Sequence, residues 1–193
     1  MAEQHLLPSA ETSAERIAFL RSLRAVRRFA AAPVPGGVVT NILEVGRWTG
    51  SAKNSQPWEL LVVRDRALLR DLAKLGQFAG HLAGADFAIV LIINSVANRL
   101  DAGRLAENLM HAAWAYGVGS CIGSLAPDEN EARAKDILGI PPERDARTAI
   151  SFGYPADETA TRISSTPGTR SVLPSIGRKP LAEIVHINHY GNH

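Results

Sequence analysis

The run 86–94 constrains this fold more than any other stretch of the chain. Asp86 and Asn94 bracket an unbroken apolar series from Phe87 to Ile93, with no polar residue at alternate positions. A strand with one wet face alternates, and a strand that does not alternate has to be covered on both faces. The chain must therefore supply apolar elements for two sides of a sheet. Its 193 residues, 46% apolar and 21% charged, suffice for one domain with a sizeable core.

The covering elements are legible from periodicity. Ile17, Leu20 and Leu23 recur at helical spacing from Ser13 onward, with Arg16, Arg21 and Arg24 between them, and the pattern finishes within 24–29. Pro35 opens a second helix carrying Val38, Ile42, Val45 and Trp48. A strand follows at 59–63, and Asp65 caps a helix with Leu68, Leu69, Leu72 and Leu75 on one face. The helix 102–116 is rich in alanine (Ala102, Ala106, Ala112, Ala113, Ala115), which lets another backbone approach closely and suits a central or subunit-interface position. Gly117 serves as its left-handed cap. Asp128 with Glu131 reads as a capping box for a helix ending at Gly139, and 148–152 is a further strand stopped by Gly153 and Pro155.

Two stretches are rich in ligand-compatible backbone. In 49–58, small residues and the primary amides of Asn54 and Gln56 crowd one turn, which Pro57 stiffens before Trp58. Such a turn can be approached closely and both donates and accepts hydrogen bonds, which suits a flat ligand with a polar edge. In 117–124, Gly117, Gly119 and Gly123 leave backbone N–H groups unobstructed. The five arginines Arg16, Arg21, Arg24, Arg27 and Arg28 form either a solvated face or a convergence on phosphate, to which the forked guanidinium is suited.

Several functions are excluded or disfavoured. A net charge of +2 gives no ground for a nucleic-acid partner. A single cysteine makes no internal disulfide, and no Cys/His spacing resembles a zinc site; His186, His189 and His193 have no partnering ligands at metal spacing. Cys121 reads as a small buried hydrophobe, His111 as a packed or capping residue, and Trp48 and Trp114 as core or interface aromatics. Phe78 and His81, the large groups of a Gly/Ala-rich segment, are candidates for a lid. The N-terminal residues lack a signal-peptide pattern and no apolar run reaches spanning length, so a cytoplasmic, membrane-free protein is expected.

The ends differ from the middle. Residues 1–12 read as a flexible N-terminus and 13–193 as one domain. Within it, 156–180 is dominated by Ser, Thr, Pro and Gly without apolar period, and 181–187 has strand character again. A tail of this kind is expected to lie across a second subunit and to add an edge strand there.

The order of these pieces resembles the nitroreductase family of FMN-dependent oxidoreductases, from about Leu20 to the end. Residues 23–29 are similar to the family's Arg-Arg-Ser-Ile-Arg-x-Phe, and 51–58 to its Pro-Ser-x-x-Asn-x-Gln-Pro-Trp, with Gly50 in place of proline. Residues 101–119 match its central helix and glycine turn, and 153–155 with 177–181 its tail. The resemblance implies an α+β fold: a central, mostly antiparallel sheet flanked by helices, with the C-terminal tail (156–193) exchanged between the subunits of a homodimer.

It also implies an FMN site built from both chains. Arg24 and Ala25 fall beside the phosphate and ribityl chain, Arg27 beside the flavin pyrimidine, and Arg178 at the phosphate. Ser51, Ala52, Asn54 and Gln56 belong to the turn that reaches the flavin from the other subunit. Ile122, Gly123 and Ser124 lie along the isoalloxazine, with a backbone N–H aimed at N5. Leu23 and Ala25 depart from the family's Arg and Ser, removing two phosphate-directed side chains for which Arg28 could compensate.

The implied chemistry is hydride transfer from NAD(P)H through flavin N5 to a flat small-molecule acceptor, such as a nitroaromatic or quinone, in ping-pong order and with no catalytic side chain. Same-fold alternatives are dehalogenation, enamide or azoline oxidation and flavin cleavage; a non-catalytic FMN-binding protein is the alternative from another class. The short run 93–101 leaves no room for the helical excursion that roofs larger family members, so a more open pocket is expected.

Overall fold

The computed structural model describes residues 10–161 and 179–192. The strand made from the apolar run, β2 (Phe87–Ile93), is buried at every position. Antiparallel to it lie β1 (Trp58–Val63) and β4 (Asp145–Gly153), and β3 (Gly119–Ser124) pairs with the far side of β4. The four-stranded sheet has the order β1-β2-β4-β3, antiparallel throughout. One row across it runs Leu60, Leu91, Thr148, Ser124, so β1 and β3 occupy opposite edges.

Side chains alternate across the sheet and feed two cores. Phe87, Ile89, Leu91 and Ile93 of β2, with Ile150 and Phe152 of β4, face α2 (Gly36–Arg47) and α4 (Arg99–Ala115). Ala88, Val90 and Ile92, with Ala149, face α3 (Arg66–Leu72), the 3-10 helix Gly80–Gly84 and α5 (Asp128–Leu138). Phe87 and Phe152 stack at 4.8 Å. The close neighbour of α4 is α2, and the approach is made where Gly46 of α2 meets Leu105 and Leu109 of α4 rather than at the alanines. A Cβ at Gly46 would lie 2.6 Å from the Leu109 side chain.

Local signals account for most boundaries. The Asp65 carboxylate accepts from the N–H groups of Ala67 (2.7 Å) and Leu68 (2.9 Å), forming the expected cap. Gly117 and Gly139 both end helices with positive φ, 70° and 68°. α1 (Ala10–Ser22) starts before Ser13 and ends before Arg24, with Arg16 and Arg21 of the five arginines inside it. It meets α4 through Trp114, whose indole donates to Ser22 Oγ at 2.8 Å, and through Phe19 against His111. Ile17 and Leu20, expected on a covered face, are each more than half exposed.

Two expectations are corrected. Asp128 and Glu131 do not form a capping box. Pro127 occupies the N-cap, so Asp128 falls one position inside the helix, and Glu131 accepts instead from Ala146 N–H (2.9 Å) and Arg147 Nε (3.0 Å). Residues 181–187 do not form a strand either. Taken by itself, the tail at 179–192 has a 3-10 turn at Leu181–Glu183 and a closing turn in which Ile187 N–H donates to Asn192 O at 2.7 Å. A lone extended segment leaves its ladder groups unpaired, and the turns of this tail satisfy some of them locally. Of residues 1–12, expected as a flexible N-terminus, 10–12 belong to α1, while 1–9 and most of the Ser/Thr/Pro-rich tail lie outside the described residues.

Gly46→Ala is expected to destabilise the fold by about 1–3 kcal/mol through overpacking of the α2–α4 contact. Leu109→Ala, a core truncation that costs about 2–5 kcal/mol by itself, should cost less in the Gly46→Ala background than in the unaltered chain. Urea denaturation of the three variants checks this.

Candidate functional site

The basic segment after α1 is tied to the sheet along its length. Val26 N–H donates to Ser120 O at 2.8 Å, Ala30 N–H to Tyr154 O at 2.8 Å, and Ala156 N–H to Arg28 O at 3.0 Å. Ala25 and Phe29 make isolated bridges to Ser120 and Pro155. Two glycines permit this approach. A Cβ at Gly119 would lie 2.6 Å from Val26, and one at Gly153 3.0 Å from the Phe29 ring. Val26 is buried, which turns Ala25 and Arg27 outward.

The arginines then separate. Arg27 is exposed and makes no ion pair with a described residue, and its charge bears on both His81 and Cys121. The Arg24 guanidinium folds back on its own chain, donating to the carbonyls of Arg21 (2.9 Å) and Leu23 (2.8 Å). Arg28, the candidate to compensate for Leu23 and Ala25, is engaged by Asp157 at 3.1 Å. Arg178 lies outside the described residues.

β3 presents an open edge next to Arg27. Leu125 N–H donates inward to Arg147 O at 2.8 Å, and Ser120 O accepts outward from Val26. Peptide groups alternate along a strand, so the N–H of Ile122 faces the open side. The Ile122 side chain is 48% exposed, whereas Cys121 and Gly123 are buried. At the lower end Ser124 enters a cleft of about 750 Å³ shared with Gln77, Phe78, Pro127, Asp128 and Arg147. Phe78 is 74% exposed on its rim.

The amide turn stands at the other edge of the sheet. Ser51 Oγ accepts from Gln56 N–H at 2.8 Å, and Asn54 N–H donates to Ser51 O at 3.0 Å. Lys53, Asn54 and Gln56 all have positive φ, at 55°, 54° and 44°. For a non-glycine residue that conformation costs roughly 1–2 kcal/mol. Residues 52–56 are exposed, so the strain presents backbone and amides to solvent rather than serving packing. Behind the turn, Asn108 donates to Thr49 Oγ1 at 2.8 Å, and a Cβ at Gly50 would lie 2.9 Å from the Arg104 guanidinium.

His81 is misplaced as a lid. It is 9% exposed and lies under β3, with Nδ1 2.7 Å from Ser151 Oγ. Burial lowers its pKa, the nearby Arg27 lowers it further, and the Ile122 carbonyl opposes both. Burial likewise pushes the Cys121 thiol up, in keeping with an inert core thiol. Of the other aromatics, Trp114 is part of the α1–α4 contact, but Trp48 is 75% exposed and donates to Glu44 at 3.0 Å. Periodicity could not have found the pairing of His81 with Ser151, because it depends on where a Gly/Ala-rich segment crosses the sheet.

With this geometry in view, the comparisons with known proteins agree. The family model described as "Nitroreductase family" matches residues 20–78 and 78–154, and the chain belongs to that family. An NADH dehydrogenase of Thermus thermophilus is 30% identical, with 70% of this chain and 84% of that one covered. Among solved structures, an FMN-dependent nitroreductase of Clostridium difficile superposes with a TM-score of 0.73 at 24% identity, covering 90% of this chain and 99% of that one. A protein of Desulfovibrio desulfuricans, solved in complex with FMN, does so at 0.67 and 25% identity, covering 84% and 97%. The antiparallel sheet with helices on both faces is the fold of this family.

Two outcomes are expected here. The folded-state pKa of His81 lies below its ordinary value of 6.5, so the unfolded chain binds more protons as pH falls. The stability is in place above 6.5 and is lost as pH falls from there through the depressed value. The melting temperature should therefore drop between pH 7 and 5.5, and drop less in His81→Gln. Separately, Lys53→Gly should raise stability by about 1 kcal/mol by relieving its left-handed backbone, measured by thermal unfolding.

Proposed function

We propose that this chain is an FMN-dependent NAD(P)H oxidoreductase that works as a homodimer, reducing a flat acceptor such as a nitroaromatic or quinone in ping-pong order. The observation that carries the reading is the conjunction of an exposed Arg27, with no ion pair among the described residues, and the outward N–H of Ile122 on a strand edge that those residues leave open. A cation and a backbone N–H side by side suit the pyrimidine and N5 edge of a flavin, which when bound supplies the hydride chemistry. Arg27 stabilises negative charge at that edge, the Ile122 N–H fixes orientation by hydrogen bonding, and Arg24 serves the phosphate by turning out from the Arg21 and Leu23 carbonyls. No side-chain acid or base is needed.

One chain does not complete such a site. The amide turn precedes β1, and Ile122 lies on β3, at opposite edges of the sheet. Three strand spacings separate those edges by about 14 Å. Ser51, Ala52, Asn54 and Gln56 therefore serve the site of a partner subunit, and the partner's copy of the same turn serves this one. Leu181, Ile184, Ile187 and Tyr190, each more than half exposed in the tail, support a tail that is covered by a partner. Phe78 offers a stacking surface beside Ser124 for a flat acceptor.

The reading is tested first by the visible spectrum of the purified protein, where a flavin band that bleaches anaerobically with NADH or NADPH is expected. Arg27→Ala should weaken FMN binding about tenfold or more, the loss of a charge-assisted contact. Arg27→Ala and Asn54→Ala should each lose turnover, whereas co-expression of the two should restore part of it. A mixed dimer holds one site with Arg27 and Asn54 both intact. Absence of recovery in a purified mixed dimer rules out the shared site.

A further inference from the structure

Beneath the strand assigned to the flavin lies a polar group with no part in the reading above. His81 is buried, and its Nε2 is a buried side-chain atom with no hydrogen-bond partner among the described residues. That nitrogen sits against Gly123: a Cβ built there would lie 3.3 Å from Nε2 and 3.4 Å from Cε1. The other ring nitrogen is anchored, with Nδ1 2.7 Å from Ser151 Oγ, and the Ser151 hydroxyl is 3.3 Å from the Cys121 carbonyl. Ser151 and Cys121 are cross-strand partners on β4 and β3. The imidazole is thus anchored to β4 through Nδ1 on one side and lies against Gly123 of β3 on the other.

Packing alone does not explain a histidine here. A leucine or phenylalanine would fill a gap among Ala79, Ser151 and Gly123 without burying an unpaired nitrogen. Hydrogen counting shows what the histidine adds. A neutral imidazole has one N–H and Ser151 one O–H. If the hydroxyl donates to Cys121, Nδ1 carries the proton and Nε2 turns a bare lone pair toward the strand. If the hydroxyl donates to Nδ1, Nε2 carries an N–H toward the strand instead. One hydroxyl rotor therefore sets the sign of the dipole under the strand, while the ring sets the strand's height.

We propose that His81 is a positioning residue for the flavin edge, fixing the height of β3 at Gly123, and with it the outward Ile122 N–H, and setting the dipole beneath them, through its contact with Gly123 and its hydrogen bond to Ser151. The proposal rests on the reading of 122–124 as the flavin-facing strand. It makes two demands that a merely structural residue does not. The sites 81 and 123 must be coupled in FMN affinity, and removing the imidazole dipole must move the flavin midpoint potential even where FMN still binds.

The experiment uses the full chain, with FMN added to apo-protein and binding read by flavin fluorescence. Gly123→Ala is expected to weaken FMN binding about tenfold when His81 is present and much less in His81→Ala, a non-additive cycle. His81→Leu is expected to keep the thermal stability of the apo-protein, while shifting the midpoint potential of bound FMN away from the wild-type value. His81→Gln, which keeps polar atoms under the strand, should shift it less. An additive cycle together with an unchanged potential in His81→Leu overturns the proposal while leaving the flavin site standing. Failure of the wild-type apo-protein to take up FMN overturns the flavin reading itself. The two failures are distinguishable, because contact between positions 81 and 123 still registers as coupling in apo-protein melting temperatures.

Discussion

The structure depends on burying β2 from both sides. Each large side chain of that strand contributes about 1.5–3 kcal/mol when fully withdrawn from water, and no position between Phe87 and Ile93 is left wet. This places β2 inside the sheet, with β1 on one flank and β4 on the other. It also requires two separate sets of covering helices. α2 and α4 close one face, while α3, the Gly80–Gly84 turn and α5 close the other. β3 is consequently an edge strand, and only an edge strand has backbone donors to spare for a ligand.

That edge is managed differently along its length. At its start the segment 25–30 covers it, admitted by the missing side chains of Gly119 and Gly153. Beyond Ser120 the edge opens, and an exposed isoleucine at 122 marks the opening. The same docking that consumes the Ser120 carbonyl holds Arg27 beside that opening. Cation and backbone donor are set by one contact rather than by two independent loops. The strained turn at Lys53, Asn54 and Gln56 belongs to the far edge, which is why a complete site is proposed to need two chains.

Much of this was legible along the chain, because it follows from local rules. The continuous apolar run gave β2. Asp65 gave a cap, Gly117 and Gly139 gave helix ends, and the amide-rich turn stood out by composition. Where local reading failed, a neighbour distant in sequence was decisive. Glu131 left its expected cap for Ala146 and Arg147, because Pro127 already closed the helix start. Arg28, equal in sequence to its neighbours, was claimed by Asp157. Residues 181–187 have strand composition but form a 3-10 turn at Leu181–Glu183, because composition alone cannot supply the other half of a ladder.

By itself, then, the sequence determined the elements, the need for a two-sided sheet and the family pattern of residues 23–29 and 51–58, since periodicity, caps and turn chemistry act over a few residues. Only the tertiary structure decided that Arg27 stands exposed by the edge of β3 without an ion pair among the described residues, that Arg24 turns back on its own chain, and that His81 lies under Gly123 rather than over the cleft. Those outcomes depend on which side chains meet across the sheet. Hydrogen-bond partners, charge pairing and the space a glycine leaves are properties of that meeting, and spacing along the chain does not encode them.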